Sequence, residues 1–322
     1  MSNSTHKVEI VPVSLQKHPD SDNLSIVPVW GYQCVVRTND WIGIDKAAYI
    51  PPDSLVNTDR PEFSWLKTDK TKERVKVRRL RGVLSMGLLI PAPSGSEIGD
   101  DVTELLEVEH WNLPECKENT NNSYSPPVHA PKYDVDSYYR YIDCFEDGEP
   151  VSVTEKLNGQ NFRCVYVDGI QYVGSRNYWK KEFADSLWWQ IFYNNPCLQE
   201  FCKNNPGYVI YGEHIGKVGG FPYDSGPLGF KAFDILMPSG QYLNVNEFLL
   251  VCKADNIPTV PVIKTNWPLD KQELVKMAEG QSLIGNNIRE GVVLKPMKER
   301  YHAKLGRVFL KVVGEGYYNK SK

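Results

Sequence analysis

Residues Cys116 to Lys132 divide this chain of 322 residues. The stretch is dominated by Asn119, Asn121, Asn122, Ser123, Ser125, Pro126, Pro127 and Pro131, which is linker composition. The expected organisation is a first domain at residues 1–115, a linker at 116–132 and a second domain at 133–322, and a chain of this length can hold two cores.

Hydrophobic residues at 41% and charged residues at 24% describe a globular chain rather than a disordered one. No apolar run approaches the roughly 20 residues that span a bilayer, so no transmembrane helix is expected. The first 30 residues are polar, which argues against a secretory signal. Seven scattered cysteines without a CxxC spacing point to a reducing cytosol, hence a cytoplasmic protein, and away from a structural metal. The net charge of −3 does not mark a nucleic-acid binder, but its distribution is uneven. Eight Lys and Arg residues between Lys67 and Arg81 face only Asp69 and Glu73, and Glu97 to Glu118 is acidic. Such a run is either a basic face for an anionic partner or a solvated hairpin.

The first domain reads as short strands with turns between them. Val8–Val13 and Leu24–Val29 are β-rich runs around the turn-prone His18-Pro19-Asp20-Ser21-Asp22, and Lys46–Ile50 stops at Pro51. Arg74, Lys76 and Arg78 alternate with Val75 and Val77, predicting one strand with a basic and an apolar face. With Gly87–Pro91 these runs fit an OB-like β-barrel, a platform for single-stranded nucleic acid. In the second domain, Asp134–Phe145 predicts a short helix capped by Asp134 or Asp136. Val151–Lys156 and Phe162–Val167 predict a strand pair, followed by the Asp168-Gly169 turn into Gln171–Gly174. Glu182–Tyr193 and Glu247–Ala254 predict helices. Tyr208–Glu213, Gly229–Ile235, Gly291–Lys295 and Val308–Val313 predict strands. The fold class expected is α+β, an OB-like barrel followed by an antiparallel α+β domain.

Chemistry concentrates at the strand ends. In order they read Glu155-Lys156-Leu157-Asn158-Gly159, Gly174-Ser175-Arg176, Tyr211-Gly212-Glu213, Phe233-Asp234, Glu290-Gly291-Val292-Val293-Leu294-Lys295 and Leu310-Lys311. Each sets a charge beside an apolar stretch that a buried strand should keep free of charge, which a converging pocket would explain. This ordered set resembles the covalent nucleotidyltransferase superfamily of ATP-dependent polynucleotide ligases and RNA capping enzymes, over roughly Val151 to Val313. The form Glu155-Lys156-x-x-Gly159-x-Asn161-Phe162 is most similar to nick-sealing RNA ligases. So is an OB-like domain ahead of the catalytic domain, with nine residues following Val313.

The resemblance implies an ATP-dependent RNA ligase using Mg²⁺ or Mn²⁺ and acting as a monomer on RNA or a nicked RNA-containing duplex. Lys156 would be the nucleophile that forms lysyl-AMP, with Gly159 turning it into the pocket. Glu155, Arg176, Glu213 and Phe233 would hold the nucleotide, Phe233 by stacking on adenine and Glu213 through the ribose hydroxyls. Asn161 would orient the RNA 5′-phosphate end. Glu290 and Asn158 would meet the metal. Lys295 and Lys311 would neutralise the phosphates and, by like-charge repulsion, depress the pKa of Lys156. Taken singly, most of these residues have a plainer reading: a surface lysine, a core phenylalanine, a turn amide.

Two positions depart from the family pattern. Asn158 stands where many members carry aspartate, and Phe309 stands in the first place of a Lys-x-Lys motif, with Lys304 and Arg307 nearby as substitutes. His18 to Leu24 also resembles the opening of OB-type tRNA-binding modules. Lys72–Arg81 is the candidate RNA-contact surface, and Trp30, Tyr32, Trp41 and Trp65 are more readily core than base-stacking residues. The competing functions are a GTP-dependent capping guanylyltransferase, a DNA ligase, and a nucleic-acid-binding protein with an inactive ligase fold.

Overall fold

The computed structural model describes residues 6–111, 125–216, 223–224 and 226–320. The chain folds as two compact units, Asn3–Glu115 and Cys116–Lys322. The first nine residues of the expected linker, including Cys116, lie outside the described residues.

The first unit is an antiparallel β-structure. Its strands are β1 (Glu9–Pro12), β2 (Gln16–His18), β3 (Ser21–Val29), β4 (Tyr32–Arg37), β5 (Lys46–Ile50), β6 (Ser54–Asn57), β7 (Lys72–Arg74), β8 (Arg78–Leu80), β9 (Val83–Ser85), β10 (Leu88–Pro91) and β11 (Glu109–His110). The period of two along β5 organises the unit, because alternate side chains leave a strand on opposite faces. Ala48 and Ile50 enter a core with Val8, Ile10, Phe63 and Leu106. Ala47 and Tyr49 enter a second core with Val27, Cys34 and Trp41. The chain closes over Tyr49 at Gly87, which has φ +108°; a Cβ there would stand 2.6 Å from the Ile50 carbonyl oxygen and 2.8 Å from the Tyr49 ring. Only glycine fits that approach.

The predicted strand through Arg74, Lys76 and Arg78 is broken in two. β7 pairs with β6 and β8 pairs with β9. Val75, between them, is buried and exchanges both backbone hydrogen bonds with the Asp53–Ser54 segment. The basic run is divided with it. Lys72 pairs with Glu109 at 2.5 Å, Lys67 with Asp59 at 2.6 Å, and Arg74 with Asp53 while its guanidinium lies 3.4 Å from the centre of the Trp111 ring. Arg78, Arg79 and Arg81 are exposed on the β8–β9 hairpin. Trp41 is core as expected, whereas Trp30 and Trp65 are exposed.

The second unit holds β12 (Asp136–Ser137), β13 (Pro150–Lys156), β14 (Gln160–Val167), β15 (Ile170–Gly174), β16 (Trp179–Lys180), α1 (Leu187–Tyr193), α2 (Pro196–Asn204), β17 (Val209–His214) and β18 (Phe230–Leu236). It continues through α3 (Val245–Ala254), β19 (Val262–Pro268), α4 (Lys271–Met277), β20 (Gly291–Pro296), β21 (Tyr301–His302), β22 (Gly306–Arg307), β23 (Leu310–Val313) and α5 (Glu315–Lys320). Two five-stranded sheets result, in the orders β12-β23-β20-β13-β19 and β16-β15-β14-β17-β18. β13 and β14, expected to pair, lie in different sheets. Their apolar faces explain it: Val151 and Val153 pack with Val292, Leu294 and Leu310, whereas Phe162 and Cys164 pack with Trp188, Ile210 and Phe230. The Leu157–Gly159 segment crosses between the sheets.

Other expectations need correction. Asp134–Phe145 is no α-helix but the short strand β12 and one 3₁₀ turn at Ile142–Cys144. The helix expected from Glu182 starts at Leu187. α2, with Pro196 at its start, was not expected, nor were α4 and α5. Residues 125–132, expected as linker, reach this unit's sheet: Arg163 donates to the carbonyls of Ala130 and Pro131, and Tyr211 to Pro131.

Candidate active site

Register places the predicted charges in rows. Lys156 of β13 lies opposite Gly291 of β20, which lies opposite Val313 of β23. The next row is Thr154, Val293 and Lys311, and Ser152 lies opposite Lys295. Ser152, Thr154 and Lys156 therefore share one face of β13, and Val151, Val153 and Glu155 the other. From the second sheet, Asn161 of β14 lies opposite Glu213 of β17.

Lys156 and Glu290 meet across this junction, with Nζ 2.6 Å from Oε1. Both are largely buried, with side chains 23% and 12% exposed. Gly291 permits it, since a Cβ there would stand 2.0 Å from the Val312 carbonyl oxygen. Burial pulls the Lys156 ammonium toward deprotonation, but Glu290 and Glu213 outweigh it and hold its pKa above the ordinary 10.5. The expected depression by neighbouring cations is not found here, because the groups facing Lys156 are carboxylates. Glu213 is pushed up to about 8 by burial, with Lys156 opposing and Glu290 adding to the shift. Two carboxylates compete for one ammonium.

The segment after the nucleophile candidate is tied at each residue. Leu157 is buried with Ile215, Tyr223 and Val260. The Asn158 backbone N–H donates to the Tyr223 hydroxyl at 2.8 Å, and its side-chain amide donates to the Tyr317 hydroxyl at 3.0 Å. The Gly159 N–H donates to Glu213. Gly159 is required by close approach and not by a left-handed turn: a Cβ there would stand 2.1 Å from the His214 carbonyl oxygen.

Lys295 is drawn elsewhere. Its Nζ donates to the Phe233 carbonyl at 2.9 Å and to Asp234 Oδ2 at 2.6 Å. Burial lowers its pKa, against the pull of Asp234. The same Asp234 oxygen accepts from Arg307 at 2.7 Å and from the Tyr133 hydroxyl. Burial opposes the charge on Asp234, but Arg307 and Lys295 hold its pKa below the ordinary carboxylate value. Arg307 also forks onto Glu299 at 2.7 and 2.6 Å and stacks 3.5 Å from the centre of the Tyr242 ring. It is thus committed to this buried knot and not free to replace the lysine missing at Phe309, whose ring packs on Tyr133 at 4.9 Å.

The remaining expectations divide. Phe233 is brought to the site, half-buried, with its ring 4.6 Å from that of Tyr133. The Glu155 carboxylate is on the other face of β13 from Lys156. It is buried, accepts from the Leu283 N–H at 2.8 Å and lies 3.9 Å from Arg289, so its side chain is neither at the Lys156 face nor at the surface. Arg176 pairs with Asp134, the residue expected to cap a helix. Asn161 keeps a buried side-chain oxygen without a hydrogen-bond partner. Among the described residues no group of three His, Cys, Asp or Glu can hold a metal alone. Tyr133, Asp234, Glu299, Tyr223 and Tyr317 were not predicted as site residues. Only Asp234 carried a signal, a carboxylate in an apolar strand.

The RNA ligase family model matches residues 149–313, slightly more than half of the chain, spanning Lys156, Glu213, Glu290, Lys295 and Lys311. The chain belongs to the RNA ligase family. An OB-fold domain model matches residues 7–92. The solved structures similar to this family member include an apo mutant of Naegleria gruberi RNA ligase, at TM-score 0.83 and 24% identity over 98% of both chains. They also include a mutant of that ligase with AMP and Mn, at TM-score 0.82 and 25% identity over 98% of both chains. The same ligase with PPi matches at TM-score 0.78 and 25% identity, again over 98% of both chains. Among curated proteins, an uncharacterized protein of Methanocaldococcus jannaschii is 31% identical over 157 residues, 46% of this chain and 38% of that protein's length. The fold is therefore an N-terminal OB-fold domain followed by an RNA ligase-like α+β domain.

Proposed function

We propose that this protein is an ATP-dependent RNA ligase that joins an RNA 3′-OH to a 5′-phosphate at nicks, through lysyl-AMP and an adenylylated 5′ end. The observation that carries it is Lys156 at the end of β13, 2.6 Å from Glu290 and flanked by Glu213, in a chain of the RNA ligase family. The Lys156 nitrogen, after giving up a proton, attacks the α-phosphorus of ATP. The bond to the bridging oxygen breaks and pyrophosphate leaves. An RNA 5′-phosphate oxygen then displaces lysine, and the 3′-OH attacks that 5′-phosphorus and releases AMP, a better leaving group than oxide.

The residues serve this sequence in defined ways. Glu290 Oε1 is the acceptor nearest to the Lys156 proton. Glu213, at about pH 8 for half-ionisation, is poised to accept from ribose hydroxyls, which favour its charged form. Phe233 offers adenine a ring whose back is supported by Tyr133, and stacking of this kind is worth about 1–3 kcal/mol. Lys311 lies in the row of Thr154 and Val293 and can neutralise phosphate charge, and Lys295, opposite Ser152, can do so once it leaves Asp234. Arg176 supplies a guanidinium for ribose or phosphate once it leaves Asp134, and Asn161 presents its amide beside Glu213 to the RNA end.

Mutants of the Naegleria gruberi RNA ligase are solved with ATP and Mn and with AMP and Mn. The donor set here fits such an ion: Glu290 is a hard oxygen ligand beside Lys156, and with no group of three protein ligands among the described residues the ion would share its shell with nucleotide phosphates, the usual arrangement for Mg²⁺. When bound, it would offset charge on the phosphates and favour the neutral form of Lys156.

The N-terminal domain, residues 1–115, would hold the RNA, and the exposed Arg78, Arg79 and Arg81 are its cationic surface. Incubation with labelled ATP and a divalent metal is expected to give a covalent adduct that Lys156→Ala abolishes, followed by nick sealing on duplexes whose 3′-OH strand ends in RNA. A label taken only from GTP would make the protein a capping guanylyltransferase. An adduct from neither nucleotide would make it a binding protein.

A further inference from the structure

Asn158 has lost the charge expected at its position, and its amide is spent on a tyrosine. The Nδ2 donates to the Tyr317 hydroxyl at 3.0 Å. Tyr317 belongs to α5, a helix whose start is fastened at two other points, one of them in the same site. The Gly314 N–H, just before it, donates to the Glu290 carbonyl at 3.0 Å, so α5 is fastened to the backbone of the residue that pairs with Lys156. Glu279 accepts from the N–H groups of Glu315 and Gly316 at 2.5 and 3.2 Å. Gly314 sits so near that a Cβ would stand 2.6 Å from the Ala278 carbonyl oxygen.

The Lys156 loop is thus held between two tyrosines. Tyr223 takes the Asn158 backbone and Tyr317 its side chain. We propose that the Asn158–Tyr317 contact is a latch by which α5 fixes the Lys156 loop for attack, making Asn158 and Tyr317 positioning residues and not metal ligands. This rests on the ligase function proposed above. An amide that donates to a hydroxyl is turned for that bond, and a rigid loop keeps the lysine aligned when its ion pair with Glu290 is broken. Misplacing a reacting group by about 1 Å can cost about a hundredfold in rate.

The test is single-turnover adduct formation on labelled ATP by the full chain, with ATP and metal each titrated. Tyr317→Phe and Asn158→Leu are each expected to slow formation about tenfold, the worth of one hydrogen bond of about 1.4 kcal/mol. The half-saturating ATP and metal concentrations should stay unchanged. The double variant should be no slower than either single one, because both remove the same contact. Asn158→Asp, whose carboxylate can accept from the Tyr317 hydroxyl, should restore the rate, and it keeps the question answerable if the leucine variant folds poorly. Losses that multiply, an unaffected Tyr317→Phe, or a shift in metal requirement with Asn158→Leu and not with Tyr317→Phe would overturn the latch. A wild-type protein that forms no adduct would instead overturn the ligase function.

Discussion

Lys156 and Glu290 form an ion pair 2.6 Å long at the join of two sheets, and it protects the lysine as much as it prepares it. Because the ammonium pKa is raised, the pair's stabilisation is present below the ordinary 10.5 and is lost as pH rises above the folded value. Glu290→Gln removes the larger of the two charges that raise it. Lys156 should then react faster with an amine-directed reagent near about pH 8.5, by about tenfold for each unit its pKa falls. Mass spectrometry of the labelled peptide reads this directly. Adenylylation by the same variant should fall, since the carboxylate proposed to hold the metal goes too. Unchanged labelling would mean that Glu290 does not hold the proton on Lys156.

Glu213 titrates where few carboxylates do. Its folded pKa of about 8 lies above the ordinary 4.5, so the folded state binds the extra proton and its stability is full below 4.5. As pH rises toward 8, the charge must form in a buried site and stability falls, by up to about 1.4 kcal/mol per pH unit. Denaturant unfolding of wild type and Glu213→Gln across that window should show the variant losing less. Parallel curves would place Glu213 in a more hydrated setting. Bound nucleotide should also flatten the wild-type curve, if ribose hydroxyls satisfy the charged carboxylate.

The strands were readable because their signal is local. Lys46–Ile50, Gly291–Lys295 and Tyr208–Glu213 are apolar runs bounded by turns, and the structure has them within a residue or so. Pairing is not local. Val151–Lys156 and Phe162–Val167 read as a hairpin, yet Val151 and Phe162 belong to separate cores that include strands and helices far along the chain. Order of motifs pointed to Lys156, Glu213 and Glu290, but not to which face each side chain takes. Glu155 lies one residue from Lys156 and so faces away from it. Tyr133 and Tyr317 were invisible because a tyrosine at the rim of an expected linker, or beyond the last motif, has no pattern to single it out.

The Asp234 knot should carry much of the second domain's stability. One oxygen of Asp234 holds Lys295, Arg307 and Tyr133 together, all largely buried. Asp234→Asn leaves the buried Lys295 without a carboxylate and takes one of two from Arg307, and is expected to cost about 3–5 kcal/mol, whereas Tyr133→Phe loses one hydrogen bond and about 1–2 kcal/mol. Arg307→Lys keeps the charge but not the fork onto Glu299 and the stack on Tyr242, so it should fall between them. The Asp234 pKa is lowered, so its share of stability is present above the ordinary 3.8 and fades as pH drops below it. Thermal unfolding of the three variants orders them, and a neutral Asp234→Asn would show that the knot is not held by charge.

The hairpin arginines of the basic run in the first domain should contribute more to RNA binding than its paired cations. Lys72 and Arg74 are committed to Glu109 and Asp53, while Arg78, Arg79 and Arg81 stand exposed around the tight turn of β8–β9, where Arg81 and Gly82 both have positive φ. A cation already paired within the protein gains little from a phosphate, since the new contact replaces the old one. Each of Arg78→Ala and Arg81→Ala is expected to weaken binding of a nicked RNA duplex and to lower the slope of log affinity against log salt by about 0.7–0.9. Lys72→Ala should leave that slope unchanged. Fluorescence anisotropy across a salt series measures both quantities. Equal effects from Lys72 and Arg78 would return the whole segment from Lys72 to Arg81 to the interface, and no effect from Arg78 and Arg81 would remove it.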